Sequence, residues 1–286
     1  MSLSPKILKE KHYSKILDAL VEFYTERPSE YGFWDERVEV YKEYADFVSS
    51  HVPNKAYHLD LGTGTWHIAN ELSEYDYEKV IGLDYFSDED LKRLNDELSS
   101  KDNAEIVKYL ENDKIPFDDQ SFNSLSSLCV VEHIVFVEKL FNEMDRVLKP
   151  GGRLIIECPN WSGPNPAITG MIKNLKGERF WLYNSFKDSF FALFRSLGWY
   201  LKNLFTSGEF IMIHPRMKGD KIDFEFSDDD VVHLCQPLSI KKFFLKKGYK
   251  VKMYNRGSGK TAYSKIFNIL FPSLATTNQL VFEKSQ

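Results

Sequence analysis

The 286-residue sequence predicts an α/β protein with a doubly wound, seven-stranded sheet whose last strand is antiparallel. Two observations predict this fold class. Strand-like and helical segments alternate from residue 56 onward, and a glycine turn follows the first strand. Such alternation is typical of a parallel sheet with helices on both faces. Ligands of such sheets bind at the carboxyl ends of the strands.

Residues 1–55 are predicted to form a helical cap of two amphipathic helices. Apolar residues recur at helical spacing in both halves, and Arg27-Pro28-Ser29 separates them as a turn. Tyr31, Trp34 and Arg37 lie between the two helices. They either anchor the helices to the core or close over a ligand.

Five strand candidates follow, with three helical stretches between them. The strands are AYHLDL (56–61), KVIGLD (79–84), AEIVKYL (104–110), SFNSLSSL (121–128) and GRLIIEC (152–158). The helices are expected over 67–73, 88–99 and 134–148, the last ended by Lys149-Pro150-Gly151-Gly152. A helix over 238–247 and strands over 249–255 and 278–284 complete the pattern. We expect one α/β domain, 56–158 with 231–286, interrupted by an insertion over 159–230.

Composition excludes several classes of protein. Charged residues are 28% and apolar residues 43% of the chain, and both values are typical of globular proteins. The net charge of −5 argues against a nucleic-acid binder. The three cysteines have no disulfide or zinc spacing, so no metal site is expected. The N-terminal MSLSPKILKEKHYSK contains no apolar run typical of a signal peptide, and no uncharged stretch is long enough for a membrane span. We expect a cytoplasmic protein.

The glycine turn LDLGTGTW (59–66) indicates the cofactor. A dinucleotide fingerprint requires glycine three residues after Gly64, where this chain has His67. Asp60 precedes the turn and would repel a diphosphate, but it would attract a positively charged ligand. S-adenosylmethionine, with a sulfonium and an α-ammonium group, is such a ligand. Asp84 ends the second strand twenty residues after Gly64, where an acidic residue binds ribose hydroxyls or, alternatively, only caps a loop.

The chain resembles a known family at this point. LDLGTGT, IGLD, ENDKIPFDDQSFN, VVEHI and LKPGGRLIIECPN occur in the order typical of class I S-adenosylmethionine-dependent methyltransferases, which have a Rossmann-like fold. They are most similar to the small-molecule branch, the methyltransferase type 11-like proteins. The resemblance covers residues 56–158 and, more weakly, 236–284.

The resemblance implies a set of cofactor-binding residues. Asp60, Gly62 and Gly64 would hold the methionine half and the ribose, and Asp84 would bind the ribose hydroxyls. The adenine would be bound by Tyr85, Phe86, Glu111, the backbone of Asn112, and Asp113 as a weaker candidate. Thr63, Leu128 and Arg37 complete the set, with Arg37 pairing with the cofactor carboxylate. Two departures from the family pattern are Trp66, where a third glycine is usual, and Asn123, where an Asp is frequent.

His133 and Glu132 are the predicted catalytic residues. A hydroxyl acceptor requires a general base, and this pair follows the fourth strand. Alternatively, the pair only opens the next helix. Some relatives hold a divalent metal with a Glu-His pair here, but no further carboxylates for such a site are evident in the sequence. His214 and His233 flank the insertion and are weaker candidates, and Cys129 and Cys158 are expected to serve packing.

The insertion allows three interpretations. Between Asn165 and Lys221 there are nine Lys/Arg and four Asp/Glu residues, and DFEFSDDD (223–230) then adds five acids. Helical spacing relates six apolar residues, Phe186, Phe190, Phe194, Leu197, Leu201 and Leu204. The stripe would be part of a lid or a homodimer contact, an aromatic and basic pocket for a phosphorylated or sugar substrate, or a surface for an anionic membrane.

We therefore expect a methyltransferase acting on a small molecule, with a sugar hydroxyl in glycan biosynthesis or a lipid-linked acceptor as the finer expectations. The alternatives are a non-catalytic cofactor-binding scaffold, or a protein or lipid methyltransferase. A second glycine cluster, NRGSGKTAY (255–263), lacks the first glycine of a phosphate-binding loop, because position 254 is Tyr254. We interpret it as a surface loop.

Overall fold

The computed structural model describes residues 6–26, 38–64, 67–111, 114–206, 208–225, 228–255, 266 and 268–286. The helices are α1 (Tyr13–Glu26), α2 (Val38–His51), α3 (His67–Ser73), α4 (Asp88–Glu97), α5 (Val137–Val147), α6 (Pro164–Leu175), α7 (Phe186–Phe205) and α8 (Pro237–Lys246). The strands are β1 (Tyr57–Leu61), β2 (Lys79–Asp84), β3 (Ala104–Lys108), β4 (Phe122–Leu128), β5 (Leu148–Pro159), β6 (Met217–Lys218), β7 (Lys221–Ile222), β8 (Lys250–Tyr254) and β9 (Thr277–Glu283).

Seven strands form one sheet in the order β3-β2-β1-β4-β5-β9-β8. β1 pairs in parallel with β2 and β4, and β2 pairs in parallel with β3. β9 is antiparallel to β5, because the Gly151 N–H donates to the Lys284 carbonyl and the Lys284 N–H donates to the Gly152 carbonyl. The predicted fold class and antiparallel last strand are confirmed. All seven strands lie where the sequence predicted them, within a few residues.

The strand order changes direction at β1, since β2 lies on one side and β4 on the other. The carboxyl ends of these three parallel strands therefore meet at one edge of the sheet, next to the glycine turn. This is the topological switch point, where α/β sheets bind their ligands.

The chain divides into two compact units, each with its own core. One, the glycine-turn unit, comprises Leu17–Val130, Phe136–Ile156 and Val281–Gln286. Its buried residues include Leu59 and Val80 from neighbouring strands and Phe141 from α5.

The other, the histidine unit, comprises Met1–Ile16, Val131–Val135 and Glu157–Leu280. Its core surrounds the fully buried Tyr183. The histidine unit contains the whole span of the predicted insertion, with α6, α7 and the antiparallel ribbon of β6 and β7. The domain boundaries predicted from the sequence stay a prediction.

The fifth helix begins later than the sequence predicted, at Val137 instead of Ile134. Val131–His133 form a turn of 3₁₀-helix instead. In the histidine unit, the carbonyl of Glu132 accepts hydrogen bonds from the N–H groups of Val232 and His233. These contacts hold the turn away from α-helical geometry.

Candidate functional site

The glycine turn after β1 requires glycine for two reasons. Gly62 and Gly64 have φ angles of +76° and +62°, which side chains disfavour. A Cβ at Gly62 would also lie 2.0 Å from Cγ2 of Val130. The N–H groups of Gly62 and Thr63 donate to the Leu83 carbonyl at 2.7 and 3.1 Å, which fixes the turn to the end of β2. Of the turn residues, Gly64 is exposed, Gly62 is half-buried and Thr63 is buried.

Asp84 joins the end of β2 to this turn. Its Oδ2 accepts from the N–H of Gly64 at 2.6 Å, and its Oδ1 accepts from the N–H of Tyr85 at 2.7 Å. The carboxylate therefore caps the loop, as one of the two alternatives required. A carboxylate accepts about four hydrogen bonds, so this role is compatible with accepting ribose hydroxyls as well.

Asp60 is fully buried at the carboxyl end of β1. Its Oδ1 accepts from the hydroxyl of Ser126 at 2.6 Å. Its Oδ2 is buried and makes no hydrogen bond within the described part of the chain. Burial raises the pKa of Asp60 to about 7, although hydrogen bonds from Ser126 and Thr63 oppose the rise. A buried carboxylate with an unsatisfied oxygen fits a cationic ligand group.

A buried hydrogen-bonded chain supports Asp60 from below. His58 contacts the hydroxyl of Ser124 through Nδ1 at 2.7 Å and that of Ser126 through Nε2 at 2.9 Å. Burial lowers the pKa of His58 to about 3, so its ring is neutral. Because Ser126 donates to Asp60, Nε2 of His58 must carry the proton that Ser126 accepts.

Sequence reasoning missed His58 and Ser126. Ser126 reaches Asp60 through the pairing of β1 with β4, which aligns these two residues, and His58 contacts Ser126 across the same pair of strands. The alternation of small polar residues in SFNSLSSL was the available signal.

Two of the predicted adenine-binding residues, Tyr85 and Glu111, contact each other in the glycine-turn unit. Tyr85 accepts at its hydroxyl from the N–H of Glu111 at 2.7 Å and stacks on Tyr24, with 5.6 Å between ring centroids. Oε1 of the buried Glu111 accepts from the N–H of Phe136, just before α5, at 2.6 Å. The Glu111 carboxylate therefore caps a helix. Its predicted contact with an adenine amino group stays a prediction.

The remaining predicted cofactor residues vary in their placement. Phe86 is buried, and Leu128 is half-buried at the end of β4. Asn123 accepts from Lys149 Nζ at 3.0 Å, so this departure from the family pattern has a structural role in the sheet. Several predictions lie outside the described residues: Tyr31, Trp34, Arg37, Trp66, Asn112, Asp113 and most of the second glycine cluster.

In the histidine unit, His133 forms an ion pair with Asp230. Nδ1 of His133 lies 3.2 Å from Oδ2 of the fully buried Asp230, and Nε2 lies 4.0 Å from Oε1 of Glu132. Burial alone would lower the pKa of His133, but Asp230, with smaller contributions from Glu132 and Asp228, raises it to about 9. Burial raises the pKa of Glu132 to about 7, against the opposing charge of His133.

Asp230 is a carboxylate that sequence reasoning missed. No further carboxylate for a metal site beside the Glu-His pair is evident in the sequence, and the structure places the Asp230 carboxylate next to His133. Asp230 belongs to the acidic run DFEFSDDD (223–230). The composition of this run shows only that acidic residues are concentrated there. Asp230 lies 97 residues after His133 in the chain, and no periodic pattern in a sequence indicates a contact over such a separation.

His233, His214 and Cys158, the weaker candidates, have the packing typical of structural residues. His233 is fully buried, and burial lowers its pKa to about 4. Burial also lowers the pKa of His214, which packs against His12 at 5.8 Å between ring centroids. Cys158 and Cys235 are buried, and their Sγ atoms lie within 4.8 Å of each other and of a Glu132 carboxylate oxygen. Structural zinc sites use four ligands, and these three residues offer one ligand atom each. The prediction that the protein has no metal site stays a prediction.

Comparison with known proteins identifies the matched segment. Residues 59–156 match the family model of a methyltransferase domain. Phosphoethanolamine N-methyltransferase 2 of Caenorhabditis elegans is 32% identical over 130 residues, covering 44% of this chain and 28% of that protein. A mitochondrial ubiquinone biosynthesis O-methyltransferase of Dictyostelium discoideum is 26% identical over 135 residues, covering 44% of this chain and 42% of that protein. The chain thus spans less than half the length of these two relatives.

A solved structure extends the similarity of fold over most of the chain. The S-adenosylmethionine-dependent methyltransferase of Mesorhizobium loti aligns with a TM-score of 0.51 and 14% identity, covering 85% of this chain and 98% of that one. At this identity the likeness concerns the fold alone. The family match falls on the segment that contains the glycine turn, Asp60 and Asp84, and the cofactor of this family is S-adenosylmethionine. Residues 59–156 thus form a class I S-adenosylmethionine-dependent methyltransferase domain, and the fold of such methyltransferases extends over most of the chain.

Proposed function

We propose that this protein transfers the methyl group of S-adenosylmethionine to a hydroxyl group of a small molecule, with a sugar hydroxyl in glycan biosynthesis as the favoured acceptor. The observation that carries the proposal is the buried Asp60, whose Oδ2 makes no hydrogen bond among the described residues, next to a glycine turn. When bound, the cofactor supplies an activated methyl group on a sulfonium.

Electrostatics supports the choice of cofactor. Asp60 has a pKa of about 7, so the carboxyl is balanced between its two forms near neutral pH. A cation bound beside it favours the ionised form by Coulomb attraction, whereas a diphosphate would be repelled. Gly62 and Gly64 leave the backbone free of side chains at the same place, and Asp84, which is bonded to the turn, would accept ribose hydroxyls.

The His133–Asp230 pair supports a hydroxyl acceptor. A hydroxyl must lose its proton during transfer, and a histidine is a suitable base. Asp230 would hold a proton on Nδ1 of His133. Nε2 would then take the proton from the hydroxyl group that receives the methyl group. Because the pKa of His133 is raised, this base would act best in mildly alkaline solution.

The proposal is tested by incubating the protein with S-adenosylmethionine labelled in the methyl group and fractions of a metabolite extract. We expect label in a small-molecule fraction, held in a linkage that survives mild alkali, as an ether does and an ester does not. Label in protein or lipid would support the alternative acceptors instead. A scaffold would bind the cofactor and transfer no label to any fraction.

A matched pair of variants ties the activity to the proposed residues. His133→Gln should abolish most transfer to a hydroxyl while leaving cofactor affinity within about twofold, since it removes the base and not the cofactor site. His51→Gln, a substitution of the same type at the C-terminal end of α2, should leave both unchanged. Equal activity of His133→Gln and the unaltered protein would remove the base from the proposal.

A further inference from the structure

Helix α7 presents its apolar side to solvent. Its buried face consists of small or polar residues, Ser189, Ala192, Ser196 and Asn203. Its exposed residues include Phe190, Phe191, Phe194, Leu197 and Leu201, and Phe191 and Phe194 are 58% and 59% exposed. A surface helix of a globular protein normally buries its apolar stripe and exposes its polar one. In α7 this arrangement is inverted.

Helix α6 repeats the inversion. It buries Pro166, Ala167 and Gly170, whereas Ile172 and Leu175 are 50% and 74% exposed. The small residues of the two helices meet, because a Cβ at Gly170 would lie 2.6 Å from Oγ of Ser189. Small residues let helices approach closely without using their large apolar side chains. Those side chains are thereby left for another contact.

Hydrogen bonds fix this orientation. The hydroxyl of Ser196 donates to the Gly163 carbonyl at 3.1 Å, and Asn203 Nδ2 donates to Oγ of Ser239 at 2.8 Å. Rotating α7 to bury its phenylalanines would break both bonds and leave buried polar groups unsatisfied. The exposed apolar surface is therefore built into the packing of the two helices.

The charge on this surface indicates its partner. Residues 164–205 contain six Lys/Arg and two Asp/Glu. Two of these cations, Arg179 and Lys202, pair with Glu225 and Glu209 outside this range, which leaves the group with a net charge of +2 on a chain whose net charge is −5. Lys176 and Lys187 are exposed in the loop between the helices and in the first turn of α7. Contact with a second copy through the same surface would bring two positively charged groups together. An anionic lipid surface, in contrast, accepts the apolar side chains and attracts the cations.

The dimensions suit a helix that lies in the plane of a membrane surface. The twenty residues of α7 are about 30 Å long and present one continuous apolar stripe. Among the described residues, no helix is long and apolar enough to cross a membrane.

We propose that the exposed faces of α6 and α7, here called the α6–α7 surface, dock on an anionic lipid bilayer, with the phenylalanines inserted at the boundary between headgroups and acyl chains. This inference does not rest on the proposed methyl transfer, because docking requires neither cofactor nor acceptor.

Vesicle flotation tests the proposal with the full chain. Vesicles of phosphatidylcholine mixed with phosphatidylglycerol should carry the protein to the top of the gradient, and added salt should weaken binding. The double variant Phe191→Ala/Phe194→Ala should bind at least about tenfold more weakly, since each ring contributes a large apolar area. Leu245→Ala removes an exposed leucine from α8 and should bind as the unaltered protein does.

A second pair of variants tests the charges. Lys176→Gln/Lys187→Gln should lower partitioning about fivefold for each lysine removed, and Lys92→Gln on α4 should not change it. Circular dichroism and thermal melting establish that each variant is folded. Two results would overturn the proposal: flotation that is the same for the phenylalanine variant and the unaltered protein, or no flotation together with a dimer in sedimentation velocity that the phenylalanine variant disperses.

Discussion

Oδ2 of Asp84 lies 2.6 Å from the backbone nitrogen of Gly64, twenty residues earlier in the chain. The bond joins the last residue of β2 to the glycine turn that follows β1, and these two strands are parallel neighbours. The spacing that suggested a ribose-binding carboxylate therefore also describes a structural link. One side chain both shapes the turn and, in our proposal, binds the cofactor.

Removing the Asp84 carboxylate should weaken cofactor binding, and the loss of affinity should be larger when both acceptor oxygens are removed than when one is kept. Asp84→Ala removes both acceptors, and we expect S-adenosylmethionine affinity to fall by at least about tenfold, as for hydrogen bonds to a charged group. Asp84→Asn keeps one acceptor oxygen and should lose less. Glu89→Gln, on the exposed side of the same region, serves as the control for charge. Calorimetric affinities that do not differ between Asp84→Ala and Glu89→Gln would remove Asp84 from the site.

The two turn glycines should differ in their tolerance of a side chain. Both have a positive φ, which costs about 1–2 kcal/mol for alanine. A Cβ at Gly62 would also meet Val130, whereas a Cβ at Gly64 has nothing within 4 Å. Gly62→Ala should therefore lower the free energy of unfolding by about 1–3 kcal/mol more than Gly64→Ala does. Urea denaturation measures this difference, and equal losses would contradict the packing described here.

Much of the sheet could be predicted, because each strand is a short apolar run bounded by turn residues. The alternation with helices predicted a parallel sheet with its ligands at the carboxyl ends of the strands, and Asp60 and Asp84 lie at the carboxyl ends of β1 and β2. The strand order itself is known from the structure. The helical spacing of Phe186, Phe190 and Phe194 also predicted α7. Helical spacing predicts that an apolar stripe exists, however, but it does not show which side of the helix faces the core. That is decided by Ser189, Ala192 and Gly170, whose small size permits close packing.

The parts that could not be predicted depend on contacts between distant residues. His58 contacts Ser126 because the register of β1 and β4 brings them together. His133 contacts Asp230 because two turns that are distant in the sequence lie side by side. The effect of burial on Asp60 is of the same kind. The sequence indicates a carboxylate, but its pKa of about 7 results from the surrounding core and from Ser126.

Cofactor affinity should rise with pH through the pKa of Asp60. Below about pH 7 the carboxyl of the free protein is protonated, so binding a cation must release that proton and is weaker. Calorimetry at about pH 6 in buffers of different ionisation enthalpy should detect proton release, which should vanish by about pH 8. Ser126→Ala removes a hydrogen bond that lowers this pKa, so the rise should move to higher pH. An affinity profile that Ser126→Ala leaves in place would contradict this account of Asp60.

The rate of methyl transfer should depend on pH through His133. With a pKa raised to about 9, the neutral base becomes more abundant as pH increases, so kcat/KM should rise toward that value. Asp230→Asn removes the attraction that opposes burial, so the rise should occur at lower pH. Asp228→Asn, an adjacent substitution of the same type, should move the profile much less because Asp228 has the smaller influence on His133. Profiles that coincide for all three proteins would exclude His133 as the titrating base.

The same ion pair should contribute to stability in a defined pH range. His133 has a higher pKa in the folded chain than its ordinary value of 6.5, so folding favours its protonated form. The resulting stability is fully present below about pH 6.5 and is lost as pH rises through about 9. Thermal melts of the unaltered protein and Asp230→Asn should thus differ most at the lower pH values and converge above about pH 9. A difference that grows with pH would have the wrong sign.

The most direct measurement is calorimetry of S-adenosylmethionine and of NAD with the unaltered protein and with Asp60→Asn, at about pH 8, where Asp60 is ionised. We predict that the unaltered protein binds S-adenosylmethionine and not NAD, and that Asp60→Asn loses at least about tenfold of that affinity because the buried negative charge is gone. Binding of NAD at this turn, or unchanged S-adenosylmethionine affinity in a folded Asp60→Asn protein, would contradict the central claim that a buried carboxylate selects a cationic cofactor.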